Sequence, residues 1–263
     1  MDPRRRLNRR PAPQLDNIVY GIHAVKEALE GGEPLRRIHV ADERRRDPAL
    51  RDLLAAASES GVTVRFESRG FFAQFPYKAH QSVVAYTAPF EYVTLEEALE
   101  NRKRTEPALF VVLDHVTDPH NLGAIIRTSE AVGADAVVLP ERRSAGINGT
   151  VRKASAGATA HLPIARVANI AQALRTLKSA GLWVAGADVS PAGDLYSGAD
   201  LRGDLALVVG AEGGGISPVV RKECDLLLRI PMAGKVGSLN ASVAAAVLLY
   251  EVRRQRDSGA PAC

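Results

Sequence analysis

The chain has 263 residues, 46% hydrophobic and 24% charged, an ordinary globular composition that excludes global disorder. That length favours two α/β domains over one. The formal net charge is +4, yet residues 1–15 alone carry five Arg against Asp2, so the basic excess sits in one Arg/Pro tail and the remainder is close to neutral.

Residues 1–16, opening with MDPRRRLNRRPAPQ, lack the apolar spacing of a folded element and are expected to form a disordered arm, either solubilising or in contact with a nucleic acid. From Ile18 the pattern predicts a helix at Ile22–Leu29, a strand at Arg37–Val40, a helix at Pro48–Ser60 and strands at Val62–Phe66 and Ser82–Thr87. Gly31-Gly32 and Gly61 stand at helix ends. Residues 17–87 therefore read as a small α/β domain, and residues 88–106 as a polar linker with one short helical stretch near Thr94.

From Pro107 onward, short apolar runs at Leu109–Leu113, Ala136–Leu139, Leu182–Ala185, Leu205–Val209 and Leu226–Ile230 read as strands. Helical patterns at Leu122–Val132, Ile170–Ser179 and Pro218–Lys222 lie between several of them. Strands apolar on both sides and alternating with helices imply an α/β fold with a mostly parallel sheet covered on both faces. Ser217-Pro218 suits a helix cap followed by proline at the first helical position. A last helix, Ala241–Arg254, carries Val243, Val247, Leu248 and Val252.

Two cysteines, Cys224 and Cys263, make neither a disulfide framework nor a zinc site. No apolar run reaches membrane-spanning length, and the basic N-terminus is not followed by the apolar stretch of a secretory signal, so a cytoplasmic protein is expected. Clusters at Arg44-Arg45-Arg46, Arg102-Lys103-Arg104, Arg142-Arg143 and Arg152-Lys153 could track phosphates or simply be solvated.

Ligands of open α/β sheets sit beyond the carboxyl ends of the strands. Three segments occupy such places. In DHVTDPHNLGAIIRTSEAVG the chain turns through Asp118-Pro119 and starts a helix near Asn121, with Arg127 two turns in. Asn121 could be a helix cap and Arg127 a surface ion-pair partner. His115, Asp118 and His120 match no strong metal pattern, and no metal is expected. In LALVVGAEGGGISP a glycine-rich turn follows a strand but lacks both the dinucleotide G-x-G-x-x-G and a Walker lysine. Glu212 would repel a phosphate there, so a cationic or hydrogen-bonding ligand fits better, although a tight turn with an exposed Glu is the alternative. In LLRIPMAGKVGSLNASVAAAVLLYE, Ser238 or Asn240 could cap the final helix. Its Ala-rich start permits close packing on another backbone.

Together NLGAIIRT, VVGAEGGGIS and IPMAGKVGSLNASVAAAVLLYE resemble, in order and spacing, the motifs of the SpoU/TrmH class of RNA ribose 2′-O-methyltransferases (SPOUT superfamily). The resemblance covers residues 107 to about 255, within a catalytic domain read as 107–258. It implies a catalytic domain ending in a deep trefoil knot, which periodicity would never predict because knots are rare. Residues 17–87, with IVYGIHAVKEAL, resemble the L30e-like RNA-binding domain of bacterial 23S rRNA guanosine-2′-O-methyltransferases. Residue by residue, the resemblance places Asn121, Arg127, Glu212, Ser238 and Asn240 among catalytic residues. It places Gly210, Ile230, Met232 and Leu239 around S-adenosylmethionine, held bent. Arg127 would bind the phosphate beside the target ribose. Obligate homodimers are also implied, with a pocket built from both subunits. Gly214 departs from the charged residue of many relatives, and the Arg/Pro tail has no counterpart. A tRNA ribose methyltransferase, or an inactive relative that clamps RNA, are the competing readings; the latter would need the polar site dismantled, whereas all five polar residues are present.

Overall fold

The computed structural model describes residues 18–30, 34–75, 80–103, 105–188 and 193–259. The N-terminal arm, Gly31-Gly32, Arg104 and Cys263 lie outside the described residues. The chain divides into two compact units, Met1–Phe90 and Glu91–Cys263.

The first unit holds β1 (Ile18–Tyr20), α1 (Ile22–Glu30), β2 (Leu35–Ala41), α2 (Arg51–Glu59), β3 (Thr63–Glu67), α3 (Arg69–Phe72) and β4 (Val83–Thr87). Its sheet runs β1-β4-β2-β3, with β2 and β3 parallel and the other pairs antiparallel. Strand alternation sorts the side chains. Ile38 and Val40 face a core shared with Val25, Leu29, Leu50 and Leu53 of the helical layer, whereas Ala41 and Val84 belong to a second cluster with Phe72 and Phe75. His39 is buried, stacks on Phe71 with ring centroids 4.7 Å apart, and places Nδ1 3.0 Å from Glu67 Oε1. Burial lowers its pKa despite the opposing pull of Glu67. The arginine cluster here is engaged locally. Arg44 bonds Asp47 and the Gln81 carbonyl, and Arg45 pairs with Asp42 and lies over Phe66.

The second unit holds α4 (Leu95–Glu100), β5 (Leu109–Asp114), α5 (Pro119–Ala131), β6 (Ala136–Pro140), α6 (Gly149–Ala154), β7 (Ile164–Val167), α7 (Ile170–Ser179), β8 (Trp183–Ala187), β9 (Asp194–Leu195), β10 (Leu205–Gly210), α8 (Pro218–Arg221), β11 (Leu226–Arg229) and α9 (Ala241–Gly259). Its seven strands lie in the order β7-β6-β5-β10-β8-β11-β9, every pair parallel. The expected parallel sheet is therefore observed, with β7 and β9 added. These two are only four and two residues long, too short for a legible periodicity.

Phe110 and Val112 of β5 and Ala206 and Val208 of β10 pack into a core with Leu95 of α4, Leu174 and Leu177 of α7 and Val220 of α8. The opposite face carries Val111, Leu113, Leu207 and Val209, all buried, where α5 and α9 pack on each other. Helix α4 starts in a capping box, Thr94 with Glu97, and Val93 bridges Ala165 beyond the sheet edge. Much of the stretch read as a linker thus belongs to the second unit's core. At the amino ends of the strands, carboxylates accept from strand N–H groups: Asp135 from Leu109 at 2.8 Å, Asp204 from Ala108 at 2.7 Å and Asp225 from Val184 at 2.9 Å. No helix among the described residues is long and apolar enough to cross a membrane.

Candidate active site

The carboxyl ends of β5, β10 and β11 release the three segments singled out from the sequence. Helix α5 begins two residues earlier than the expected start near Asn121, because Asp118 is the cap. Its side chain accepts from His120 N at 3.0 Å and Pro119 fills the first helical position. Asn121 is therefore an interior first-turn residue, buried to 6% exposure, and its amide is directed outward from the helix start. The helix is pressed onto α6 at Gly123, where an added Cβ would lie 2.4 Å from Ala154 Cβ and 2.9 Å from the Val151 carbonyl. Only glycine permits that approach.

After β10 the chain makes a turn closed by its own backbone, Ala211 N to Gly215 O at 3.1 Å and Gly215 N to Ala211 O at 2.9 Å. Gly213 and Gly215 take φ of 73° and 60° there. A Cβ on Gly210 would fall 2.1 Å from the Gly215 carbonyl carbon, so the turn folds back directly over the strand end. Glu212 is carried at its tip.

Three side chains from these distant segments meet. Glu212 Oε1 accepts from Asn121 Nδ2 at 3.0 Å and also from Asn240 Nδ2, and Asn240 Nδ2 lies 2.9 Å from Asn121 Oδ1. Asn240 simultaneously caps α9, its Oδ1 accepting from Ser242 N at 2.9 Å and Val243 N at 3.3 Å. The carboxylate thus bonds side chains at the starts of two helices, α5 and α9, the ends whose dipoles favour negative charge.

The remaining candidates are not in that contact. Arg127 is exposed on α5, its side chain making no ion pair or hydrogen bond among the described residues. Ser238 is exposed in the loop 231–240. Gly210 is buried beneath the turn, Ile230 and Leu239 are half-buried, and Met232 is 37% exposed. Among the described residues, no backbone–backbone hydrogen bond involves residues 230–239. That strip of unpaired peptide groups beside Ile230, Met232 and Leu239 suits a flat, polar-edged ligand, since such groups need partners when covered.

Other chemistries find less. Among the described residues there is no group of three or more His, Cys, Asp or Glu able to hold a metal. Burial, with Asp225 beside it, pushes the Cys224 thiol up to about 12, so it is no ready thiolate. Cys224 also lines a recess of about 580 Å³ with Pro218, Arg221 and Lys222, apart from every candidate residue. Sequence reasoning gave no role to Asp114. It is 1% exposed at the end of β5 and accepts from Ser217 N at 2.7 Å. An acid closing the apolar run LFVVLD was the available signal.

With this geometry in hand, the comparisons decide the family. The SpoU rRNA Methylase family model matches residues 108–250, and a model for RNA 2′-O ribose methyltransferase substrate binding matches residues 18–93. The chain belongs to the SpoU/TrmH family of RNA methyltransferases. It is 44% identical over 93% of its length to an uncharacterized tRNA/rRNA methyltransferase of Synechocystis, spanning 64% of that relative, and 42% identical over 93% to a TrmH family tRNA/rRNA methyltransferase of Bacillus subtilis, spanning 98% of it. Among solved structures, an AdoMet-bound rRNA methyltransferase from Sinorhizobium meliloti aligns with a TM-score of 0.60 and 27% identity, covering 90% of this chain and 87% of that one.

Proposed function

We propose that this SpoU/TrmH protein transfers a methyl group from S-adenosylmethionine to a ribose 2′-hydroxyl of RNA, the target being a guanosine of 23S rRNA. The observation that carries this reading is the meeting of Asn121, Glu212 and Asn240, Asn121 lying more than ninety residues before the other two in the chain. The ribosomal target rests on the resemblance of residues 17–87 to the L30e-like domain of 23S rRNA methyltransferases; the model matched there speaks of RNA substrate binding. The tRNA/rRNA names of the relatives keep tRNA as the second reading.

In this reading the backbone of residues 230–239, with Ile230, Met232, Leu239 and Gly210, holds the cofactor, in a pocket where the chain threads through itself as a trefoil knot. Bound S-adenosylmethionine supplies an electrophilic methyl on a sulfonium. An in-line transfer needs the attacking oxygen about 3–3.5 Å from that carbon, so most of the protein's work is positioning. Arg127 binds the phosphate next to the target ribose and stabilises negative charge growing on the 2′-oxygen. A guanidinium stays protonated in proteins, so the hydroxyl proton passes to phosphate or water. Glu212, fixed by Asn121 and Asn240, faces the cationic side of the donor, with Ser238 at the acceptor.

Arg127 stands apart from the Asn121–Glu212–Asn240 contact, as a site completed by a second copy would require. Helix α9 exposes Val243 (47%) and Tyr250 (57%) seven residues apart on one face, and Val236 of the preceding loop is 69% exposed. We read these as the contact of a homodimer, which light scattering would report at twice the chain mass. The function is tested by mapping 2′-O-methylation on rRNA and tRNA from a strain lacking the gene, then incubating both with protein and S-adenosylmethionine. One guanosine of 23S rRNA regaining its mark is the expected result. Marks appearing on tRNA alone would replace the target, and no methylation of any RNA would end the reading.

A further inference from the structure

Asp114 is a buried carboxylate that the reaction outlined above does not use. β5 and β10 pair in register so that Asp114 lies beside Gly210, where the Glu212 turn departs. Its Oδ2 accepts from Ser217 N at 2.7 Å, where that turn gives way to α8. The donor is the backbone N–H of the N-cap residue of α8, whose own side chain makes no cap hydrogen bond. Its Oδ1 lies 2.5 Å from His115 Nδ1, and opposite a carboxylate the ring nitrogen is the donor. His115 takes a φ of 63°, a left-handed conformation that is unfavourable outside glycine and persists only where surroundings impose it. From His115 the chain runs directly to the Asp118 cap and Asn121.

We propose that Asp114 is a positioning residue for methyl transfer, one carboxylate that fixes the exit of the Glu212 turn with one oxygen and the approach to Asn121 with the other. This rests on the methyltransferase reading above. The turn is stiffened by its two internal backbone bonds, Ala211 N to Gly215 O and Gly215 N to Ala211 O. It can therefore swing only about its ends. Gly210 is held in the sheet; at the other end Ile216 packs against the core and Asp114 holds the Ser217 N–H. Without the Asp114 bond the exit is held by packing alone, and Glu212 shifts relative to Asn121 and Asn240.

Three variants test this with S-adenosylmethionine and unmethylated rRNA. A misplacement of about 1 Å costs on the order of 100-fold in rate, so Asp114→Ala should lose about that factor in kcat with little change in KM. Asp114→Asn should recover most of the loss. Its amide oxygen can still accept from Ser217 N while its NH2 donates to the other tautomer of His115. Ser217→Pro removes the donor at a φ of −61° that suits proline and sets a ring carbon against Oδ2, so it should lose at least as much as Asp114→Ala. Hydrogen exchange should quicken at residues 211–217 in the Ala and Pro variants and not across the sheet. Unchanged kcat in both, or exchange raised equally everywhere, would overturn the proposal. If the unaltered protein methylates no RNA, the methyltransferase reading fails, while the exchange measurement still decides the tether.

Discussion

Arg256, in the last turns of α9, closes the second unit at the amino ends of its central strands. Its guanidinium donates to the Pro107 carbonyl at 2.8 Å, the Ala108 carbonyl at 2.9 Å and the Gly203 carbonyl at 2.8 Å. Arg256→Met keeps the apolar stem and removes all three bonds. The Ala108 carbonyl still accepts from Leu205 N at 2.9 Å, so two acceptors, Pro107 and Gly203, lose these partners. Hydrogen bonds to charged groups contribute about 1.5–3 kcal/mol each, and water can reach part of this site. Burial opposes the charged guanidinium and lowers its pKa, which offsets some of the gain. About 2–4 kcal/mol remains, or roughly 5–12 °C in Tm for a unit of this size. Circular dichroism, with the fluorescence of Trp183 in β8, would follow the transition. A variant melting within about 2 °C of the parent would refute the clamp, since shifts that small follow from ordinary surface changes.

Arg127→Lys keeps the charge but loses the planar fork that grips a phosphate and a growing alkoxide together, so most turnover should vanish while cofactor affinity by calorimetry stays; full activity would contradict the assigned role. Gly210→Ala drives a Cβ to 2.1 Å from the backbone of Gly215, which cannot rotate away, so Glu212 is displaced and both S-adenosylmethionine binding and Tm should fall, the latter by about 1–3 kcal/mol equivalent. His39 is a base whose folded pKa lies below its ordinary 6.5, so the unfolded chain binds the extra proton first and stability drops as pH falls below about 6.5. His39→Phe, which retains a ring against Phe71, should flatten the decline in Tm between pH 7.5 and 5.5; an unchanged slope assigns it to other groups.

The parallel sheet was legible because its central strands are long apolar runs, and β5, β6, β8, β10 and β11 all appear near their expected positions. Some short elements were not. Helix α6 has six residues and opens with Gly149, and its place is set by the missing side chain of Gly123 on α5, a tertiary fact. Charge clusters were equally opaque: RRR at 44–46 reads as either a phosphate track or a solvated face, but two of its members are engaged with Asp47, Asp42 and Phe66.

Local rules left the site ambiguous for a reason that Asn240 makes concrete. Read alone, it is a helix cap, and the structure agrees, since Oδ1 accepts from the first turn of α9. Read by resemblance, it is a site residue, and its Nδ2 is in contact with Asn121 and Glu212. An amide has an acceptor end and a donor end, and capping uses only the first. The cap orients the amide, so the donor end points at Glu212 without further ordering cost. Replacement by Asp, an equally good cap, separates the two uses: α9 should remain capped and Tm nearly unchanged. A carboxylate would then oppose Glu212, and activity should fall by an order of magnitude or more, about 1.4 kcal/mol per factor of ten. Loss of Tm with activity preserved would mean that Asn240 serves the helix alone.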